Sequence, residues 1–228
     1  RWSALATAPS GEHVAYTTGV ELARLYGIGR ATGANINQIC LATLTAALRA
    51  WHPADWAAAG PGLRATIAVS VRAADAPYRR LGNCSGVASV QLPCADPSPL
   101  DQLRLLRQEA GFARFAEVGR RHRVLYQKMP YWCGSLSLGR SIDPRFTPLT
   151  LADVRLRKRL SFAGEPVTAA YLVPVSVPGQ PLFVAWTTHG EQLLTSFRID
   201  PALPGAAELP GLWREAFDAL EGAATEAG

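Results

Sequence analysis

The side chains with chemistry to offer in this sequence are four histidines, four cysteines and an unusual number of arginines. A general base working near neutral pH calls for an imidazole beside the nucleophile it activates. His13, His52, His122 and His189 each stand alone: none follows a second histidine, and none is followed four residues later by aspartate. His52 with Asp55 is the nearest His–acid pair, and Pro53 between them marks a loop after a helix end. His189, in Thr187-Thr-His-Gly190, marks a turn between two strands; His122 lies in a basic run, and His13 opens a strand. No catalytic residue is assigned to any of them. Gly134-Ser-Leu-Ser-Leu-Gly139 is only superficially similar to a nucleophile elbow, since no Gly-x-Ser-x-Gly stands before a helix. Gly27-Ile-Gly-Arg-Ala-Thr-Gly33 misses the dinucleotide spacing and falls in or at the end of a helix rather than after a strand. Cys40, Cys84, Cys94 and Cys133 lack the short paired spacings of zinc and redox sites and read as reduced packing residues, with no metal.

The formal charge of +5 rests on arginine, because Lys128 and Lys158 are the two lysines. Arg120-Arg-His-Arg123 and Arg155-Leu-Arg-Lys-Arg159 are basic clusters suited to a phosphate, an acidic carrier protein or nucleic acid. The plainer reading makes them solvated faces of a helix end and a strand, and no nucleic-acid partner is expected. No apolar run reaches the roughly 20 residues of a membrane span, and no signal-peptide pattern opens the chain. The expectation is a soluble, cytoplasmic protein, and its wealth of Ala and Arg points to a GC-rich bacterial genome.

These side chains need elements to hold them. With 48% hydrophobic residues, the 228-residue chain can bury a large single core. Residues 1–12 read as a connector, 13–221 as one folded subdomain, and the Ala/Gly-rich 222–228 as a frayed tail. A strand is expected over His13–Thr17, a helix over Val20–Gly33, and a buried helix over Ile36–Trp51 behind an Asn35 N-cap. A Gly/Pro loop over 57–63 follows, then strands over Thr66–Val71 and Val87–Leu92 and a long helix over Ser98–Gln127, broken at Gly111 or Gly119. The remainder reads as strands over 131–138, 154–162, 169–173, 181–188 and 193–199, closed by an amphipathic helix over Glu208–Glu221. This order predicts an α+β sandwich, a mixed sheet with helices packed on one face.

Three consecutive pieces carry a resemblance: the helix Asn35-Ile-Asn-Gln-Ile-Cys-Leu-Ala-Thr-Leu-Thr-Ala-Ala-Leu-Arg-Ala-Trp51, the strand Thr66-Ile-Ala-Val-Ser-Val-Arg72, and Leu81-Gly-Asn-Cys-Ser-Gly-Val-Ala-Ser-Val-Gln-Leu-Pro93. In this order they resemble the C-terminal half of the CoA- and pantetheine-dependent acyltransferases. That superfamily unites condensation domains with wax ester synthase/diacylglycerol acyltransferases on a chloramphenicol acetyltransferase-like fold. Asn37 matches the first residue of the family's Asn-Asp pair, with Gln38 in place of the aspartate; Arg72 matches the arginine ending the strand; Gly82 and Asn83 match its Gly-Asn turn. Ser135-Leu-Ser-Leu-Gly-Arg140 resembles a family strand that usually reads Ser-Asn, the asparagine being absent here, and Thr187–Asp200 resembles a late hairpin.

The resemblance implies that Asn37, Arg72, Gly82, Asn83, Ser135 and Ser137 lie at the substrate channel or at the junction between halves. The alternative for Arg72 and Asn83 is structural, an arginine pairing with a carboxylate and an asparagine satisfying turn amides. It further implies transfer of an acyl group from CoA or a carrier-protein thioester to an alcohol or amine. The paired-histidine motif would sit on an N-terminal half, in the same polypeptide or a separate subunit. Acyl-CoA or an acyl-pantetheine carrier enters as substrate, and no permanently bound cofactor is implied. Two rival expectations stand beside it: a catalytically silent module that binds a carrier protein or partner subunit, and a homo-oligomer with sites between identical chains.

Overall fold

Asn35 starts the helix α2 (Ile36–Trp51) through a reciprocal box: its Oδ1 accepts from the Gln38 amide at 3.0 Å, and Gln38 Oε1 accepts from the Asn35 amide at 3.0 Å. Two orphan donors of the first turn are thereby satisfied. Gln38, standing where the resembled acyltransferases have aspartate, thus completes the cap. α2 is buried over nearly its whole circumference, as its unbroken run of Ile, Cys, Leu, Ala and Thr requires. Thr43 and Thr45 hide their hydroxyls by donating to the Ile39 and Leu41 carbonyls at 2.8 and 2.7 Å.

The computed structural model describes residues 4–58, 62–72, 84–109, 111–143, 147–156, 158–174 and 179–227. Its strands are β1 (Val14–Glu21), β2 (Leu63–Ser70), β3 (Ser85–Leu92), β4 (Leu149–Arg155), the two-residue pair β5 (Ser161–Phe162) and β6 (Glu165–Pro166), β7 (Leu182–His189) and β8 (Gln192–Ile199). Six of them form a mixed sheet in the order β1-β8-β7-β4-β2-β3, with β2/β4 and β4/β7 parallel and the other pairs antiparallel. Period-two alternation sends Leu63, Ala65, Ile67 and Val69 of β2 to one face, level with Leu149 and Leu151 of β4 and Val184 and Trp186 of β7. On that face lie α1 (Leu22–Thr32), α2, α4 (Pro99–Glu109), α5 (Phe112–Lys128) and α7 (Leu209–Ala227), which share one hydrophobic core with the sheet. A short helix α3 (Pro53–Ala58) occupies part of the expected 57–63 loop.

Every residue of β8 from Leu193 to Ile199 is buried. On the sheet's second face irregular chain reaches the neighbouring β7: the Leu160 amide donates to His189 Nε2 at 3.4 Å and the Leu172 amide to Thr187 Oγ1 at 3.1 Å. These bonds also explain why 169–173 is no strand. Its Leu172 amide is held by a side chain instead of a backbone ladder. Likewise the expected 154–162 strand ends at Arg155 and resumes only as the β5–β6 hairpin, whose tip holds Ala163 at φ 50 and Gly164 at φ 89.

Of three further expectations, one is borne out in one of its two forms and two need correction. The 98–127 helix breaks at Gly111, the N-cap of α5, whereas Gly119 lies inside α5. Gly119 serves a close approach instead: a Cβ on Gly86 of β3 would overlap the Gly119 backbone, and one on Gly119 would meet Val71 at 3.1 Å. Gly86→Ala should therefore push α5 off the sheet and cost about 1–3 kcal/mol by overpacking, read as a lowered Tm with unchanged far-UV dichroism. Residues 131–138 form a helix, α6 (Tyr131–Ile142), not a strand. Pro130 caps it, the segment 131–138 holds no β-branched residue, and Tyr126 donates to Ser137 Oγ at 2.9 Å, drawing α6 against α5. Finally, α7 runs on to Ala227 with Ala224 buried, so residues 222–227 continue the helix where fraying was expected.

Candidate functional site

The parallel strands β2, β4 and β7 all end on one edge of the sheet, the edge where open α/β sheets gather their ligands. β4 ends with Asp153 and Arg155, two residues apart and so on the same face, in register with Trp186 and Thr188 of β7. That is the face α2 packs on, and the first turn of α2 brings Asn37 to them. Arg155 Nη2 donates to Asn37 Oδ1 at 3.4 Å, and Arg155 Nε donates to Asp153 Oδ2 at 3.3 Å. The Asp153 side chain is 16% exposed and that of Arg155 50%. Burial pushes the Asp153 carboxyl above the ordinary aspartate value, opposed by the Arg155 charge and a hydrogen bond from Asn37. One turn into α2, burial and the same carboxylate hold the Cys40 thiol well above its usual range.

Asn37 thus belongs to a three-residue polar cluster on the rim. Its two partners are the residues that sequence reasoning passed over: Arg155 was one member of a basic run, and Asp153 drew no notice. A signal existed, since aspartate at a core-facing strand position needs a partner, and i+2 on the same strand supplies one. Arg72 follows β2 on the same edge and is half-buried. Gly82 and Asn83 lie outside the described residues. Ser135 and Ser137, expected on a strand, sit on α6, with Ser135 exposed and Ser137 bonded to Tyr126 of α5.

The four histidines stand in four separate settings. His189 is buried, its Nε2 accepting from Leu160. His52 is the C-cap of α2, with its ring edge-on to Trp51 at 4.6 Å. His122 lies over Tyr126 at 4.3 Å, and burial lowers its pKa. His13 is lowered by burial and by the Arg198 charge, against a nearby Asp200. Asp200 itself is engaged structurally, accepting from Ser10 Oγ at 2.6 Å and from the Ser10 and Ala202 amides at 2.9 Å each. Burial would raise its pKa, but these bonds outweigh it and hold the carboxyl low. The cysteines are free, and Cys94, its amide-bonded thiol pushed up to about 12 by burial, is a packing residue. Among the described residues no helix is long and apolar enough to cross a membrane.

A mixed six-stranded sheet layered with helices in this order is the fold of condensation domains and CoA-dependent acyltransferases. The wax ester synthase/diacylglycerol acyltransferase from Marinobacter aquaeolei VT8 superposes with a TM-score of 0.67 at 16% identity, over 97% of this chain and 52% of its own. The epimerization domain from the third module of tyrocidine synthetase B superposes with a TM-score of 0.62 at 11% identity, over 97% of this chain and 51% of its own. PapA2 acyl transferase gives 0.54 at 12% identity, over 98% and 46%. The chain therefore spans about half the length of the solved structures it matches. No protein-family model and no curated protein matches the sequence.

Proposed function

We propose that this chain is the C-terminal half of an acyltransferase that moves an acyl group from a CoA or carrier-protein thioester to an alcohol or amine, the general base residing on an N-terminal half. The observation supporting this most directly is the one-sided coverage: nearly all of this chain superposes on about half of each relative. In the reaction the acceptor oxygen or nitrogen attacks the thioester carbonyl as a base takes its proton. A tetrahedral oxyanion forms, the C–S bond breaks, and the proton passes to the departing thiolate. The thioester is already activated, so the protein's work is orientation, proton transfer and oxyanion stabilisation.

In this reading the rim formed by Asn37, Asp153, Arg155 and Arg72 is this half's contribution to the channel mouth. Asp153 fixes the Arg155 side chain, and the half-exposed guanidinium is left to meet anionic groups of the incoming carrier or coenzyme. The test is an assay of the isolated chain with acyl-CoA and long-chain alcohol or amine acceptors, with and without a companion half carrying the paired-histidine motif. Turnover is expected only in the combination. Turnover by the isolated chain would overturn the reading.

A further inference from the structure

Among the described side chains, the α5–α6 hairpin meets the sheet through the first half of α5, where Phe115, Ala116 and Gly119 are buried. From Arg120 to Ser137 no residue is buried. The same stretch holds the largest exposed apolar side chains of the helices: Tyr131 at 90%, Leu136 at 75%, Trp132 at 70% and Leu125 at 55%. A stretch that buries so little on its own molecule presents an apolar surface of the kind that marks a contact with something else.

Charge says what that something is. Residues 112–142 contain Arg114, Arg120, Arg121, Arg123, Lys128 and Arg140 against the single acid Glu117, a formal +5. The whole chain has 23 basic and 18 acidic residues, so outside this hairpin the two signs balance at 17 each and its entire net charge sits here. Glu117 pairs with Arg120 and Arg121 at 2.9 and 2.7 Å and so tempers only part of it.

We infer that the hairpin seats on the surface of a bilayer containing anionic lipid, with Tyr131, Trp132 and Leu136 among the headgroups and the basic side chains on lipid phosphates. Tyr and Trp, apolar bodies with a polar tip, are the side chains that favour the headgroup layer. A basic, aromatic-bearing helix pair is the arrangement that binds there, and the anionic surface potential draws each Lys or Arg toward it. A second copy of this chain is a poor occupant, because it would set +5 against +5. The companion half of the proposed function would be a rival occupant: vesicle binding that persists when that half is added supports the inference, and binding lost on adding it overturns the inference in favour of that half.

Sedimentation with vesicles of phosphatidylcholine, with and without phosphatidylglycerol, tests it. Binding is expected to the anionic vesicles and to fall as salt rises from about 0.05 M to about 0.5 M. Trp132 is the exposed tryptophan among the described residues, so a blue shift of emission on binding should vanish in Trp132→Phe. Tyr131→Ser with Trp132→Ser, and separately Arg114→Gln with Lys128→Gln, should each weaken partitioning more than tenfold, with Tm unchanged. Equal binding to neutral vesicles overturns the inference, as does no binding to either kind. A lipid-free dimer that shields Trp132 overturns it in favour of a second copy. Shielding of Trp132 by soluble polyglutamate but not by vesicles overturns it in favour of an acidic protein.

Discussion

Trp213→Ala is expected to destabilise the fold by about 3–5 kcal/mol, the cost of removing a fully buried large aromatic and leaving a cavity. For a chain of this length that is a fall in Tm of roughly 10 °C or more. Trp213 is wholly buried on α7 and stacks on Phe217, with ring centroids 5.9 Å apart and planes at 28°. α7 packs on α1, α2 and α4 and touches β1, so one cavity here loosens most of the helical layer. An external clamp does not compensate. Arg24 of α1 reaches α7 through Asp218 and Glu221 and lies 4.9 Å from the Phe217 ring centroid, but its partners are half-exposed or exposed, where ion pairs contribute little. Trp213→Phe is the informative control. The indole Nε1 has no hydrogen-bond partner among the described residues, so phenylalanine also removes a buried orphan donor that carries a desolvation penalty. Chemical denaturation should show the alanine variant losing several times more stability than the phenylalanine variant.

What the sequence made legible follows from how local each signal was. α2 announces itself through Asn35, a continuous apolar circumference and Pro53, all within one stretch of chain. β2, β3, β7 and β8 show themselves through alternation or β-branched residues and flanking glycines. α6 was hidden because its fate is decided by a neighbour: Tyr131–Leu138 is short, half aromatic and aliphatic, and becomes helical where Pro130 permits and Ser137 meets Tyr126. Val20 was drawn into a helix because the apolar run continues through Leu22, Leu25 and Ile28, yet its backbone pairs with Leu193 near the end of β1. The polar cluster on the rim was legible in one residue of three. Asn37 stood out through resemblance, while Asp153 and Arg155 become a site only when a parallel sheet sets β4 beneath the first turn of α2, a pairing between segments more than a hundred residues apart.

The rim cluster carries a signature that separates a kept functional group from a packing residue. Asp153 is held above the ordinary aspartate value of 3.8 chiefly by burial. Its folded state therefore binds the proton more tightly than the unfolded chain does. The resulting stabilisation is fully present below 3.8 and is lost as pH rises through the raised value. At neutral pH a charged Asp153 is thus a net cost, and Asp153→Asn should raise Tm, the gain growing from acid to neutral pH and then levelling. Arg155→Ala removes the charge that opposes burial, so it should push Asp153 further up and steepen the same pH dependence. Under the proposed function, with a companion half added, the two substitutions should part company again. If the guanidinium binds an anionic group on the thioester substrate, its loss removes a charge-assisted bond of about 1.5–3 kcal/mol, roughly ten- to a hundredfold in kcat/KM. That loss should appear in KM with kcat little changed, and Arg155→Lys should recover part of it. Asp153→Asn keeps the guanidinium and should give a smaller rise in KM despite its higher Tm, the exchange of stability for activity expected of a carboxylate that orients another group. A lower Tm in Asp153→Asn, or equal kinetics in Arg155→Ala and the parent enzyme, would reduce the cluster to a strand-end ion pair.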